Sequence, residues 1–280
     1  MTDLIDTTTA TSTTDARLPT LRELGDDLLV TTPRQRWIAL ARPFFGVVLY
    51  ALAWALGLWW LSPLIVFLIF VAVVTVTHDV VHGTLGLNRR QTDWALFLTG
   101  LVLLESGHAY RTTHLQHHKV FPSEDDPEGY PAKISLLGAV LYGPVFLARL
   151  WFWAFQRNAR RPAQRVWLVV EALMPLLAIT GGILLWSTTP ALLVYVALAI
   201  VGSWVYPLLT VHLPHRNFGD TPLSQTHTLR GTIIPALFLE LTYHLEHHLY
   251  PQVPSHHLKE LAHRLDPFFD RAGVTRWRVP

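Results

Sequence analysis

Four apolar runs, three of them long enough to cross a bilayer, constrain the fold more than any other feature of this sequence. They cover approximately 43–61, 63–77, 166–186 and 190–211. A helix needs about 20 mostly apolar residues to cross a membrane. Only 15% of the residues are charged, whereas a soluble domain carries about 25%. We therefore predict an all-α integral membrane protein in which four transmembrane helices form two hairpins.

The basic residues are confined to one end of each hairpin. The turns that join the paired runs, Ser62-Pro63 and 187–189, carry no charge. The opposite ends carry Arg34, Arg36, Arg42, Arg89, Arg90, Arg111, Arg157, Arg160, Arg161, Arg165 and Arg216. Because cytoplasmic loops carry the excess of Lys and Arg, both termini and the arginine-bearing ends are predicted to be cytoplasmic.

Two further apolar runs are predicted to lie at the membrane surface as interfacial helices. The run 94–104 is too short to cross a bilayer. The run 136–153 is nearly long enough, but it is interrupted by Gly143-Pro144 and contains Arg149. If it crossed, the histidine-rich segments before and after it would face opposite compartments.

The predicted domain organisation is simple. The Thr-rich segment 1–17 is predicted to be a disordered cytoplasmic tail, and 18–280 a single membrane domain with a cytoplasmic histidine-rich head. The formal net charge of +2 is too small to indicate nucleic acid binding. No pattern in the sequence indicates an oligomeric state.

Eight histidines fall into three groups that have helical spacing. His78 and His82 lie four residues apart at the end of the second apolar run. The other two groups have the spacing i, i+3, i+4, and they are His114, His117, His118 and His244, His247, His248. Positions i and i+4 share a helix face, so each group can present its imidazoles to one site. Three such groups on one side of a membrane indicate a metal centre.

The number of imidazoles indicates two metal ions, because one tetrahedral zinc takes only four ligands. Histidine-only sites suit zinc, copper, iron or nickel, so spacing leaves the identity of the metal open. A di-zinc hydrolase would satisfy the same count. The chain has no cysteine, which excludes thiolate-bound zinc and iron–sulfur clusters.

The three groups read HDVVH (78–82), HLQHH (114–118) and HLEHH (244–248), and they resemble the histidine boxes of the membrane fatty-acid desaturase superfamily. The resemblance covers approximately 36–261. It implies a non-haem di-iron centre that activates O2 as co-substrate and oxidises an unreactive C–H bond.

Finer motifs resemble one branch of this superfamily. HDVVHG, LPHR (213–216), YHLEHHLYPQVP (243–254) and the acidic stretch 125–127 are similar to bacterial β-carotene ketolases and related carotenoid hydroxylases. A carotenoid is therefore the preferred substrate. The ending HHLYPQVPSHHL resembles acyl-lipid desaturases equally well, so a fatty-acyl desaturase is the alternative.

Four residues outside the eight box histidines complete the predicted site. The resemblance implies that His215, just beyond the fourth run, is one more ligand, and His227 is predicted to be an additional or supporting one. Ligating histidines usually donate their other N–H to a carboxylate or a carbonyl. Asp79 and Glu246, which lie inside the boxes, are therefore predicted to orient the ligands.

Two other functional classes fit the sequence less well. A metal transporter would place its histidines near the middle of the membrane, and a zinc protease would need HExxH where this chain has HDVVH. The sequence shows neither a GxGxxG dinucleotide fingerprint nor the haem motif of a fused cytochrome b5. Electrons are therefore predicted to come from a separate ferredoxin or flavoprotein reductase.

Overall fold

The computed structural model describes residues 17–280, and the predicted disordered tail 1–17 lies outside them apart from Arg17. The described residues are mostly helical, and two short strands pair in parallel. The helices are α1 Leu21–Leu24, α2 Pro33–Ala55, α3 Ser62–Val81, α4 Arg89–Leu103, α5 Gly107–Val120, α6 Leu136–Arg157, α7 Pro162–Leu184, α8 Ala191–Ser203, α9 Leu213–His215, α10 Ile233–Leu237, α11 His244–Leu249 and α12 Leu258–Arg271. The strands are β1 Leu229–Arg230 and β2 Trp277–Arg278. Short 3-10 turns lie at Asp26–Leu29, Trp59–Leu61, Tyr130–Lys133 and Ser255–His257, and a π-helical turn lies at Pro207–His212.

Five helical segments in the described residues are long and apolar enough to cross a membrane. They are Pro33–Ala55, Trp59–Val81, Leu136–Arg157, Pro162–Leu184 and Ala191–His215. The first, second, fourth and fifth overlap the four predicted spans. The predicted count of four is not confirmed, because α6 qualifies by the same criteria.

The first membrane helix, α2, begins well before the predicted position at residue 43. Its start is fixed by a capping box, in which Thr32 and Gln35 satisfy each other's backbone N–H groups. Pro33 then occupies the first turn, where its missing N–H costs nothing. Local backbone capping therefore extends the helix beyond its apolar run.

The prediction that Gly143-Pro144 interrupts the sixth helix is wrong, because α6 is continuous over 22 residues with Pro144 inside it. Gly143 serves close packing. A Cβ added there would lie 1.9 Å from the Trp204 carbonyl oxygen, so only glycine lets α6 approach that backbone. At the end of α6, the Asn158 side chain donates to Thr112 on α5 at 3.3 Å.

Helix α3 forms the centre of the membrane part. Of its most apolar 18 residues, 78% are buried, whereas 22% or less of the corresponding stretch is buried in each of the other four candidate spans. A helix that is apolar on all sides is expected to be surrounded by other helices, and α2, α4 and α8 pack around it. The C-terminal end of α3 carries the first histidine box.

A buried polar network joins α4, α5 and α7. Glu171, inside the α7 span, bonds to His108 Nδ1 at 2.6 Å and to the Ser106 hydroxyl at 2.5 Å. The other ring nitrogen of His108 lies 3.4 Å from Asp93. These partners explain how an ionisable residue can lie within an apolar span.

The C-terminal part packs around a hydrophobic cluster of its own, which also includes residues near the N-terminal end of the described chain. Its buried members include Leu24, Leu28, Leu245, Leu258, Leu261, Leu265 and Phe269. This cluster is anchored to the membrane part by Asp79, which accepts hydrogen bonds from the Ser255 backbone N–H at 2.9 Å and hydroxyl at 2.6 Å. The contact fixes the end of α3 against the start of α12.

We expect Leu265→Ala to destabilise the C-terminal part by about 2–5 kcal/mol, the usual cost of removing a buried leucine side chain. Leu265 is fully buried on α12. Lys259 lies on the same helix and is exposed, so Lys259→Ala is the matched control and should change stability by less than about 0.5 kcal/mol. Thermal unfolding in detergent, followed by circular dichroism, measures both variants; equal midpoints would contradict the packing described here.

Candidate metal centre

The structure brings the three histidine boxes and His215 into one buried cluster. Helix α3 and its C-cap supply the first box, α5 the second and α11 the third. Within each box the helical spacing places the imidazoles on one face, as the sequence predicts. Five of them, each offering one nitrogen within 4.8 Å of the others, form the first group: His78, His82, His114, His118 and His247.

A second group lies beside the first. It contains His117, His215 and His248, whose ligand atoms also lie within 4.8 Å of one another. The Nε2 atom of His244 lies 3.0 Å from that of His215 and 3.1 Å from that of His248. His215 follows the π-helical turn Pro207–His212, and such turns alter which face a residue occupies and are common at functional sites.

The imidazoles point their Nε2 atoms at one another. Five pairs illustrate this: His78–His247 at 2.9 Å, His247–His118 at 2.9 Å, His118–His114 at 3.2 Å, His117–His215 at 3.2 Å and His244–His215 at 3.0 Å. A neutral imidazole has one acceptor nitrogen and one donor, so this many facing nitrogens cannot all be paired as hydrogen bonds. Metal ions between them would use all of the lone pairs.

Burial favours the neutral form of most of these imidazoles. It lowers the pKa of His82 to about 4 and, aided by nearby imidazoles, that of His244 to about 3. Burial and then repulsion from neighbouring imidazoles lower the pKa of His247 and His248 well below the usual range. Neutral imidazole is the form that binds metal, so the donor set fits a metal centre.

Three acceptors hold the outward-facing Nδ1 atoms. Asp126 lies 2.7 Å from Nδ1 of His117, and Glu128 lies 3.1 Å from Nδ1 of His114. Nδ1 of His215 contacts the Gln225 carbonyl oxygen at 3.1 Å. An acceptor at Nδ1 places the proton there and leaves Nε2 free as the ligand atom. For His117, burial alone would lower the pKa, but the bond and charge of Asp126 raise it.

Sequence reasoning missed the roles of Asp126 and Glu128. Both carboxylates lie in the irregular segment after α5, are buried, and reach back to the helix that precedes them. The sequence feature that could have indicated these roles is the acidic stretch that follows the second box. Its shortness and its charge made solvent exposure the simpler interpretation.

The hydrogen bonds and ion pairs of Asp79 and Glu246 go to residues other than the box histidines, and their orienting role stays a prediction. Asp79 accepts from Ser255, and Glu246 pairs with Arg230 at 2.6 Å and accepts from Thr228 at 3.0 Å. A carboxylate within a box lies on the helix face that the ligands do not use. Both residues therefore secure box-bearing helices to neighbouring segments.

His227 is also absent from both groups in the described residues. Its Nε2 donates to the Arg216 carbonyl oxygen at 2.6 Å, and its own carbonyl accepts from the Leu245 N–H. It therefore supports the segment that carries the third box, next to His244.

An apolar cavity of about 260 Å³ opens onto the cluster. Four imidazoles of the cluster line it, together with His227: His78, His114, His117 and His244. The remainder is mostly apolar and includes Phe70, Val71, Val74, Leu209, Leu213, Ile234, Phe238 and Leu241. The Tyr110 ring stacks on that of His114 with 4.7 Å between centroids. An apolar cavity with few polar groups at one end is suited to a hydrophobic substrate.

Comparisons with known proteins agree with this site. A family model described as fatty acid desaturase matches residues 57–280. A β-carotene ketolase from Paracoccus sp. (strain N81106 / MBIC 01143) is 27% identical over 219 residues, which is 73% of this chain and 76% of that protein. A β-carotene ketolase from Paracoccus sp. (strain PC1) is 26% identical over 231 residues, 77% of this chain and 78% of that protein.

The family match covers most of the chain and all three histidine boxes. Both relatives are similar over most of their own length. The apolar helices, the buried histidine cluster and these likenesses agree with one another. The chain is a membrane oxidoreductase that belongs to the fatty acid desaturase family and, within it, leans toward the carotene ketolase branch.

Proposed function

We propose that the chain is an O2-dependent di-iron enzyme that oxidises C–H bonds of a long hydrophobic lipid. The preferred reaction is ketolation or hydroxylation of a carotenoid ring. The observation that carries the proposal is the convergence of nine imidazole nitrogens in two groups at one side of an apolar cavity. Imidazole ligands suit iron, and two groups match two ions.

Each group would hold one iron. The ligands proposed for the first iron are His78, His82, His114, His118 and His247, and those for the second are His117, His215, His244 and His248. The buried Nε2 of His82 has no hydrogen-bond partner among the described residues, which supports a ligand role. Bound iron would supply the activation of O2 that oxidation of an unreactive C–H bond requires.

The protein itself orients the metal ligands, positions the lipid and excludes water. Asp126 and Glu128 keep the ring protons on Nδ1 and fix the ring planes of His117 and His114. The apolar cavity holds the lipid with one end against the imidazole groups, and its side chains keep water from the reacting carbon. Such positioning accounts for a large share of catalysis.

The substrate, the electron donor and the orientation are parts of the same proposal. The two ketolase relatives support a carotenoid, and the family description supports a fatty-acyl chain as the second candidate. Electrons would come from a separate ferredoxin or flavoprotein. The arginines beside the membrane helices favour a cytoplasmic position for both termini and for the metal centre.

Expression in a β-carotene-producing bacterium, followed by chromatography of the pigments, tests the substrate. We expect new keto or hydroxy carotenoids, and purified protein should contain two irons per chain. Unchanged pigments with altered fatty-acid unsaturation would favour the acyl desaturase. Zinc without iron, together with no O2-dependent product, would contradict the mechanism.

We expect Asp126→Asn to weaken iron binding by about 10–100-fold, the range seen when a residue that supports a metal ligand is replaced. An asparagine keeps the shape but loses the charge that holds the His117 proton. The neighbouring Asp125 is exposed, so Asp125→Asn is the matched control and should bind iron normally. Iron retained per chain after dialysis against a chelator measures the difference.

Filling the cavity should impair oxidation of the substrate without affecting iron binding. We expect Leu241→Trp to fill the cavity and to lower the rate of lipid oxidation by about 100-fold, the scale of a misplaced substrate. Iron content should not change, because Leu241 belongs to neither imidazole group. Leu237 is exposed and lies outside the cavity lining, so Leu237→Trp should behave as wild type. Equal rates for both variants would place the substrate elsewhere.

A further inference from the structure

A second concave region lies on the opposite side of the box-bearing helix α5. It is an open cleft of about 1170 Å³ between α5 and the connection from α6 to α7. Among the described residues its charged lining is entirely basic, and it consists of Arg89, Arg111, Lys119, Arg157, Arg160 and Arg161. A cleft lined by one sign of charge focuses its field on an oppositely charged partner.

Most of this charge is not neutralised within the described part of the chain. Arg111 pairs with Asp93 at 2.9 Å. The other five cations are exposed, and no described carboxylate lies within 4.0 Å of them. Cations left unpaired around a depression are available to carboxylates of another molecule.

Helix α5 separates this cleft from the imidazole groups. Its histidines point to the metal centre, and Leu115, Gln116 and Lys119 on its other face line the cleft. A helix with its side chains is about 10 Å across. A protein bound in the cleft would therefore lie one helix away from the metal centre.

We propose that this basic cleft docks an acidic one-electron carrier protein, which supplies the metal centre across α5. The proposal rests on the proposed function, because only a redox site needs such a donor. Oxidation of one C–H bond to an alcohol by O2, with release of one water, consumes two electrons and two protons. The carrier supplies the electrons, and solvent supplies the protons.

Anionic lipid headgroups are the other chemistry that clustered arginines attract. Two features favour a protein. Arg89 and Lys119 lie on α4 and α5, which are not among the candidate spans, so the cleft extends beyond the α6–α7 connection. Leu115 is 45% exposed at the cleft, and an apolar contact inside a charged rim is typical of protein interfaces.

The test measures binding without turnover. The full chain is reconstituted in nanodiscs of neutral lipid, and an acidic plant-type [2Fe–2S] ferredoxin is the probe. We expect Arg89→Glu with Lys119→Glu to raise the ferredoxin Kd by at least about tenfold, and Arg160→Glu with Arg161→Glu to act alike. Arg22→Glu with Arg271→Glu makes the same charge change at exposed positions outside the cleft and should leave Kd unchanged.

A kinetic measurement distinguishes weaker docking from disruption of the metal centre or of the fold. In the cleft variants the KM for ferredoxin should rise, while kcat at saturating ferredoxin and iron content match the wild type. No binding by the wild type, or equal Kd values for cleft and control variants, would overturn the proposal. So would variants that lose only their binding to vesicles containing phosphatidylglycerol. Because affinity needs no product, docking can hold or fail independently of the proposed reaction.

Discussion

The mutual approach of nine imidazoles in a buried space is the constraint on which the rest of this structure depends. Eight of them present ring nitrogens to one another at about 3 Å, an arrangement that hydrogen bonds alone cannot satisfy. Bringing unsatisfied ring nitrogens together is unfavourable, so the helices that carry them, which come from distant parts of the sequence, must be held together by other contacts. The polar network at Glu171 and the hydrophobic cluster around α12 do so from two sides. Metal binding in such a site also contributes to folding.

The sequence predicted the parts of the site that depend on local geometry. Helical spacing was enough to place His114, His117 and His118 on one face, and the same rule holds for the other boxes. It could not place Asp126 or Glu128, because an irregular segment has no period from which the direction of a side chain follows. The position of Asp79 away from the ligands likewise depends on Ser255, far along the chain.

In the membrane part, too, the sequence predicts some features correctly and others not. Apolar runs identify four of the five candidate spans, whereas Pro144, which predicts a break, lies inside a continuous helix. Proline removes one hydrogen bond, and whether a helix survives depends on what packs against it. Here the absence of a side chain at Gly143 allows contact with the backbone at Trp204. Sequence patterns give the length of an apolar segment more reliably than its continuity.

The contact between Asp79 and Ser255 has a consequence for how members of this family can be recombined. It joins the last turn of a membrane helix to the segment that follows the third box, across a buried boundary. A chimera that took its membrane helices from one relative and its C-terminal head from another would inherit the two halves of this contact from different parents. Parents that differ at either position would leave a buried carboxylate without its donors. Compatible parents are therefore those that share this pair, whatever their overall identity.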